Sequence, residues 1–261
     1  MSAHRPRKRF GQHFLRDHNV IDKIVAAIAP QLDDTVVEIG PGEGALTQLL
    51  IDSGCQLQVI ELDRDLAKLL AQRWPSLQII NDDALNVDLE KLSSATAPTG
   101  IKLIGNLPYN VSTPILFHAL EHLPSISMMV FMLQQEVVER MVAAPGTKAY
   151  GRLSVMLQYR CQLRKLFSVP PAAFEPPPQV NSAIVELTPK RSISPAADSP
   201  HALAKVVKAA FGQRRKTIAN ALKAMLSKTQ ISDAGIDPMA RAEQLEVDEF
   251  VMLANRLEET I

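Results

Sequence analysis

Val20, Ile21, Ile24, Val25 and Ile28 recur at the spacing of one helical face, and Pro30 predicts where that helix stops. Thr35-Val36-Val37-Glu38-Ile39 follows, a short β-branched run that breaks into a glycine-rich turn before an apolar-periodic stretch opens at Ala45. That order reads as strand, turn, helix. The alternation continues with a strand around Gln58–Ile60, a helix from Asp65 to Arg73, and strands at Leu77–Ile80 and Ile101–Ile104. A helix from Ser112 to His122, a strand over Ile126–Leu133 and a helix from Glu136 complete it. Strands alternating with helices predict an α/β fold, a mostly parallel sheet covered by helices on both faces.

After Tyr150 the pattern changes. A helix near Leu153–Tyr159 leads to a short apolar run, the proline-dense segment Pro170–Pro178, and then Ala183–Leu187. The two apolar runs can pair as an antiparallel hairpin at the sheet edge. Thr188 to Pro200, rich in Ser, Pro and Ala, reads as a linker. Beyond it, Leu203, Val206, Val207, Ala210 and Phe211 form a helical stripe, and further apolar positions continue to Leu257. The expected organisation is therefore a domain over 1–187 with a basic arm at 1–16, a linker over 188–200, and a small all-helical domain over 201–261.

With 261 residues and 46% apolar content, the chain is long enough for a real core and too apolar to be mostly disordered. The longest apolar stretch, Ile126 to Leu133, falls far short of the roughly 18–20 residues a membrane helix needs. No membrane association is expected. Cys55 and Cys161 lie far apart and form no ligand pattern, so the expectation is a reduced, cytoplasmic setting and no metal. Nothing in the sequence demands a dimer, and a monomer is expected.

Equal numbers of acidic and basic residues, 28 of each, conceal segregation. Met1 to Arg16 holds five bases (Arg5, Arg7, Lys8, Arg9, Arg16) and no acid; Lys205 to Lys228 holds seven bases and no acid. Between them, Asp33 to Asp65 holds eight acids and one base. Two readings stay open: solvated faces, or basic rims for a polyanion around an acidic centre for a cation.

The acidic centre contains Glu38-Ile39-Gly40-Pro41-Gly42-Glu43-Gly44. Glycines there let the backbone turn sharply and approach a ligand closely. A dinucleotide site calls for a different glycine spacing and for free N–H groups at a pyrophosphate, and Pro41 removes one donor. Glu61, closing the second strand, can accept hydrogen bonds from both hydroxyls of a ribose. Asp83, in Asn81-Asp82-Asp83-Ala84 after the third strand, is placed to meet an adenine amino group. Glycine turn, second-strand acid and third-strand acid together resemble the class I S-adenosylmethionine-dependent methyltransferases, whose cofactor is a sulfonium cation without phosphates.

After the fourth strand comes Gly105-Asn106-Leu107-Pro108-Tyr109. This resembles the motif of methyltransferases that modify exocyclic amino groups of nucleobases. The adenine amino nitrogen is a poor nucleophile because its lone pair is delocalised into the ring. The Asn106 side-chain oxygen and the Leu107 carbonyl can each take one N–H, drawing the nitrogen toward sp³ geometry and opposing the charge that develops on it. Tyr109 offers a face for stacking. Phe174, in the stiff Pro171–Pro178 loop, is either a second stacking face or a core residue.

Taken together, these segments resemble the ribosomal RNA adenine N6,N6-dimethyltransferases, most closely the bacterial small-subunit branch. The resemblance rests on Lys8 to Leu15 (KRFGQHFL), Asn106 to Pro114 (NLPYNVSTP), Ala149 to Val155 (AYGRLSV), Phe174 to Ala183 (FEPPPQVNSA) and Ala210 to Thr217 (AFGQRRKT). It implies dimethylation of two adjacent adenosines in a hairpin loop near the 3′ end of 16S rRNA, within the small ribosomal subunit or its precursor. It implies S-adenosylmethionine as cofactor, held at His13, Leu15, Gly40, Gly42, Glu61, Asp83, Ala84 and Asn106. Catalytic roles are expected for Asn106, Leu107, Tyr109 and Phe174, and phosphate contacts for Arg7, Lys8, Arg9, Arg214, Arg215 and Lys216. His13 stands where the family often has Asn; imidazole can still donate a hydrogen bond. Two other readings remain: a large-subunit, antibiotic-resistance methyltransferase with the same catalytic motif, and an RNA-binding assembly factor without activity.

Overall fold

The computed structural model of the chain describes residues 12–92 and 100–258. Its strands and helices run β1 (Phe14–Leu15), α1 (His18–Ile28), β2 (Thr35–Ile39), α2 (Thr47–Asp52), β3 (Gln56–Ile60), α3 (Arg64–Arg73) and β4 (Gln78–Ile80). They continue β5 (Ile101–Asn106), α4 (Ser112–Glu121), β6 (Ile126–Gln134), α5 (Gln135–Met141), α6 (Arg152–Arg160), β7 (Cys161–Val169), β8 (Phe174–Glu175) and β9 (Ser182–Pro189). The C-terminal helices are α7 (Pro200–Gly212), α8 (Ile218–Ala221), α9 (Lys228–Asp233) and α10 (Val247–Glu258).

Seven strands form one sheet in the order β4-β3-β2-β5-β6-β9-β7. The pairs β4–β3, β3–β2, β2–β5 and β5–β6 are parallel, and β9 runs antiparallel to β6. This is the expected α/β architecture, with the antiparallel element at the β7 edge. All five residues of β2 are buried, as a central strand covered on both faces requires. Its alternate positions serve two cores. Val36, Ile104, Val130 and Ile184 pack with Ile21, Ile24 and Ile28 of α1 and Leu50 of α2, while Val37, Leu103, Phe131 and Val185 are buried on the opposite face. Asp17 starts α1 by accepting the N–H groups of Asn19 and Val20. Lys102 closes the other end, donating to the carbonyls of Ile28 and Ala29 while pairing with Asp34 at 2.6 Å.

Two elements depart from the pattern-based expectation. β5 runs two residues beyond Ile104, so Asn106 is the last residue of a strand rather than part of a loop. The proline-dense segment contributes β8, which pairs antiparallel with β1 through Leu15↔Phe174 and Phe14↔Glu175. Two-residue strands leave no periodicity to read, so only the folded chain reveals this clasp.

Contacts divide the chain into two units, one built from the chain up to Val138 with Arg164–Pro189, the other from Glu139–Leu163 with Lys190–Ile261. Residues 139–163, expected within the first domain, thus group with the helical one. The reason is burial: Tyr150, Val155 and Tyr159 share a core with Leu203, Val206, Val207, Leu222, Phe250 and Val251. The expected linker is likewise anchored. The Ala197 N–H donates to Tyr159 Oη at 2.8 Å and the Asp198 N–H to Asn255 Oδ1 at 3.0 Å.

Candidate active site

β2 sits between β3 and β5, the point at which the strand order reverses, and ligands in open α/β sheets bind beyond the strand C-termini there. Gly105 lets the two strands approach. A Cβ at that residue would lie 2.4 Å from the Ile39 carbonyl oxygen. Beyond Ile39 the chain turns through Gly40, Gly42 and Gly44, with φ of 67°, 61° and 86°, values that L side chains rarely adopt. All three glycine N–H groups are engaged by the protein itself. Gly40 donates to Ile60 O at 2.9 Å, Gly44 to Pro41 O at 2.9 Å, and Gly42 to Glu61 Oε2 at 3.2 Å. A pyrophosphate would need those donors, so the turn is not an anion cradle.

A cavity of about 650 Å³ opens over this turn. His13, Leu15, Gly40, Gly42, Glu61, Asp83, Ala84 and Asn106 all line it, as do Leu107 and Tyr109. Ten of the eleven residues expected to bind cofactor or carry the chemistry therefore meet around one space. Glu61 is 5% exposed; besides the Gly42 N–H, it accepts the Asp63 N–H at 2.8 Å. It therefore shapes the glycine turn from beneath. Asp83 closes its own turn by accepting the Leu85 N–H at 3.0 Å.

Glu38 also lines the cavity, a residue that the motif reading passes over. It is 2% exposed and accepts the Thr47 hydroxyl at 2.7 Å. Burial pushes its carboxyl up to about 7; the Thr47 hydrogen bond opposes that, and the neighbouring Glu61 charge adds to it. The signal was available in the sequence, since a lone acid inside a five-residue apolar strand has no solvent to face.

Residues 12–16 line one side of the cavity. The Arg16 N–H donates to Ala173 O, and the Arg16 guanidinium meets Glu43 at 2.6 Å and Glu175 at 3.2 Å. His13 Nδ1 lies 2.7 Å from Pro176 O; a carbonyl only accepts, so Nδ1 carries the proton. The imidazole donor is thus turned onto the protein's own backbone. The His13 carbonyl accepts Asn106 Nδ2 at 3.1 Å, which assigns the amide's nitrogen and leaves Oδ1 as its free-standing acceptor end. The His13 and Tyr109 rings are stacked, with centroids 6.0 Å apart. Leu107 is tied down through its N–H to Met132 O, and its side chain is buried.

Phe174 does not join them. It is 4% exposed, lies in the core with Leu15 and Ile184, and does not line the cavity. The β1–β8 pairing carries its side chain inward, so in this structure the core alternative holds for Phe174.

Among the basic candidates, Arg7, Lys8 and Arg9 lie outside the described residues. Arg215 and Lys216 are exposed in the helical unit. Arg214 is exposed as well, and its guanidinium also donates to the carbonyls of Lys148 and Tyr150 at 2.9 and 3.0 Å, which makes it a brace within that unit. No group of three or more His, Cys, Asp or Glu is arranged to hold a metal ion among the described residues. No helix among them is long and apolar enough to cross a membrane.

The family model for ribosomal RNA adenine dimethylase matches residues 3–259. The ribosomal RNA small subunit methyltransferase A of Alcanivorax borkumensis is 52% identical over 257 residues, covering 98% of this chain and 91% of that protein. Its counterpart from Pseudomonas aeruginosa is 50% identical over 259 residues, covering 98% and 96%. Among solved structures, a dimethyladenosine transferase from Plasmodium falciparum superposes with a TM-score of 0.76 at 25% identity, covering 92% of this chain and 96% of that one. The 23S rRNA methyltransferase ErmE gives 0.72 at 25% identity, covering 94% and 99%.

Proposed function

The chain belongs to the ribosomal RNA adenine dimethylase family, and on that premise we propose that it dimethylates adenosine in small-subunit rRNA. The reaction transfers methyl groups from S-adenosylmethionine to the N6 amino groups of two adjacent adenosines in a hairpin loop near the 3′ end of 16S rRNA. The product is N6,N6-dimethyladenosine, made on the small subunit or its precursor during ribosome biogenesis, by a monomer working in the cytoplasm. Identity of about half to small-subunit enzymes, against 25% to ErmE, favours that substrate over the large subunit.

The residues present suit the cofactor. An acid-rich cavity whose glycine N–H groups are all engaged internally fits a cation without phosphates. Glu61 and Asp83 are the acceptors for ribose and adenine, and Gly40, Gly42, Leu15, Ala84 and His13 form the walls. When bound, S-adenosylmethionine supplies an activated methyl group.

The single observation that carries this reading is the anchored amide of Asn106 at the C-terminus of β5, beside Tyr109 in the same cavity. With Nδ2 engaged, Asn106 presents oxygen, and the Leu107 carbonyl supplies the second acceptor for the two N–H bonds of an adenine amine. Together they oppose the positive charge that grows on the nitrogen. Tyr109 stacks the extruded base and aligns it, which removes orientational freedom before reaction. Arg215 and Lys216, with Arg7, Lys8 and Arg9, contribute contacts to RNA phosphates.

Incubation with unmethylated small subunits and labelled methyl donor, followed by mapping of the modified positions, tests the proposal. Two adjacent dimethylated adenosines near the 3′ end of 16S rRNA are expected. Labelling confined to the large subunit would overturn the substrate, and no labelling with either subunit would overturn the activity.

A further inference from the structure

We propose that Ser182 is a positioning residue for the methyl transfer, holding Tyr109 in place as the platform on which the target base stacks. The inference rests on the stacking role given to Tyr109 above and adds a residue from outside the Asn106–Tyr109 segment.

Ser182 Oγ lies 2.8 Å from Tyr109 Oη. The two residues are 73 apart in sequence, and Ser182 is fully buried at 0% exposure. A hydroxyl with no access to water must find a protein partner or pay the full desolvation penalty, so this contact is not an incidental surface bond. The backbone that carries Ser182 is rigid. Ser182 is the first residue of β9 and pairs with Gln134 at the end of β6, and the neighbouring Asn181 carbonyl accepts the Gln135 N–H at 2.9 Å.

Tyr109 starts from a different strand. It follows β5, and β6 lies between β5 and β9 in the sheet order. Its phenol therefore reaches past the end of β6 to a strand two positions away. Its own backbone is fixed separately, with Ser112 Oγ donating to Tyr109 O at 3.2 Å and the Val111 N–H to Pro108 O at 3.1 Å. Both ends of the ring axis are thereby held, the Cβ end by the turn and the Oη end by Ser182. Rotation about χ1 would break the second anchor; flips about the ring axis leave the plane's location unchanged.

This arrangement decides what Tyr109 does. Its hydroxyl is engaged with another hydroxyl away from charge, and burial pushes its pKa upward, so the phenol is not set up to transfer protons. What remains is the face. A ring already held before RNA arrives loses little conformational entropy when a base stacks on it, which keeps the amine aligned with Asn106. Since Phe174 is in the core, this one platform depends on its anchor all the more.

The test is a double-mutant cycle over Ser182→Ala and Tyr109→Phe, read by single-turnover methylation of small subunits. Cofactor affinity is followed by fluorescence of Trp74, the chain's one tryptophan, whose ring lies against Gly44. Each single change is expected to lower kcat about tenfold, on the scale of one hydrogen bond, with cofactor affinity unchanged. The double variant should be no slower than either single one. Full turnover by Ser182→Ala, or effects that multiply in the double variant, would overturn the proposal. If Ser182→Ala fails to fold, Tyr109→Phe alone probes the same contact from its other side, and normal kcat there would overturn it too. Tyr109→Ala separates the two levels: near-normal turnover would refute the platform itself, whereas loss of turnover beside a normal Ser182→Ala refutes only the anchor.

Discussion

The side-chain amide of Asn106 donates through Nδ2 to the backbone carbonyl of His13 at 3.1 Å, across 93 residues of sequence. A segment preceding the first helix thus decides which end of the amide faces the cavity. Removing that oxygen by Asn106→Ala is expected to lower methyl transfer about 10²–10³-fold, the usual loss for one oriented polar group at a transition state. Binding of RNA should remain largely intact. Single-turnover labelling alongside separate binding titrations checks this, and near-normal turnover would remove Asn106 from the mechanism.

The turn at Gly44 makes a steric prediction. A Cβ there would lie 2.3 Å from the Trp74 ring, at a φ of 86° that is already unfavourable for any other residue. Gly44→Ala is expected to cost about 1–3 kcal/mol of stability, from strain and overpacking together. Cofactor affinity should fall with it, because the displaced ring supports the cavity wall. A melting curve and a Trp74 fluorescence titration on the same preparation decide the matter.

Glu38 makes the stability of the fold depend on pH. Its carboxyl sits at about 7 in the folded chain against an ordinary value of 4.5. Below 4.5 both states hold the proton and nothing is lost. Between 4.5 and 7 the unfolded chain releases its proton while the folded chain keeps it, so stability falls as pH rises, by about 3 kcal/mol once past 7. Glu38→Gln keeps a partner for Thr47 and has no proton to lose. Its unfolding free energy should therefore decline less between pH 5 and pH 8 than that of the parent chain; equal declines would count against the buried acid as the cause.

Within Arg214-Arg215-Lys216, two different outcomes are expected. Replacing Arg215 and Lys216 with Ala should weaken RNA binding and reduce its log–log salt slope by about 1–2, with the melting temperature unchanged. Arg214→Ala should lower the melting temperature instead, because the Lys148 and Tyr150 carbonyls lose their donor. An identical salt slope in the double variant would return Arg215 and Lys216 to the role of solvated surface.

Much of the fold and most of the lining of the candidate cavity could be read from residue order. β-branched runs alternating with helical stripes define the sheet, and acids or glycines at the strand ends mark where the cavity opens. These signals are local, because side-chain periodicity and glycine's backbone freedom act within a few residues. The boundary of the helical unit was not legible. Tyr150 and Tyr159 look like ordinary core residues in sequence, and nothing local says which core receives them.

Sequence alone determined the class of the sheet and placed the candidate chemistry at its strand ends, since each follows from residue type at a given strand end. Tertiary structure alone decided that Phe174 turns into the core, that Arg214 donates to the Lys148 and Tyr150 carbonyls, that Asn106 Nδ2 donates to the His13 carbonyl, and that Tyr109 and Ser182 share a hydrogen bond. Each of those outcomes depends on a contact between residues distant in the chain or on the degree of burial, and neither exists until the strands are stacked.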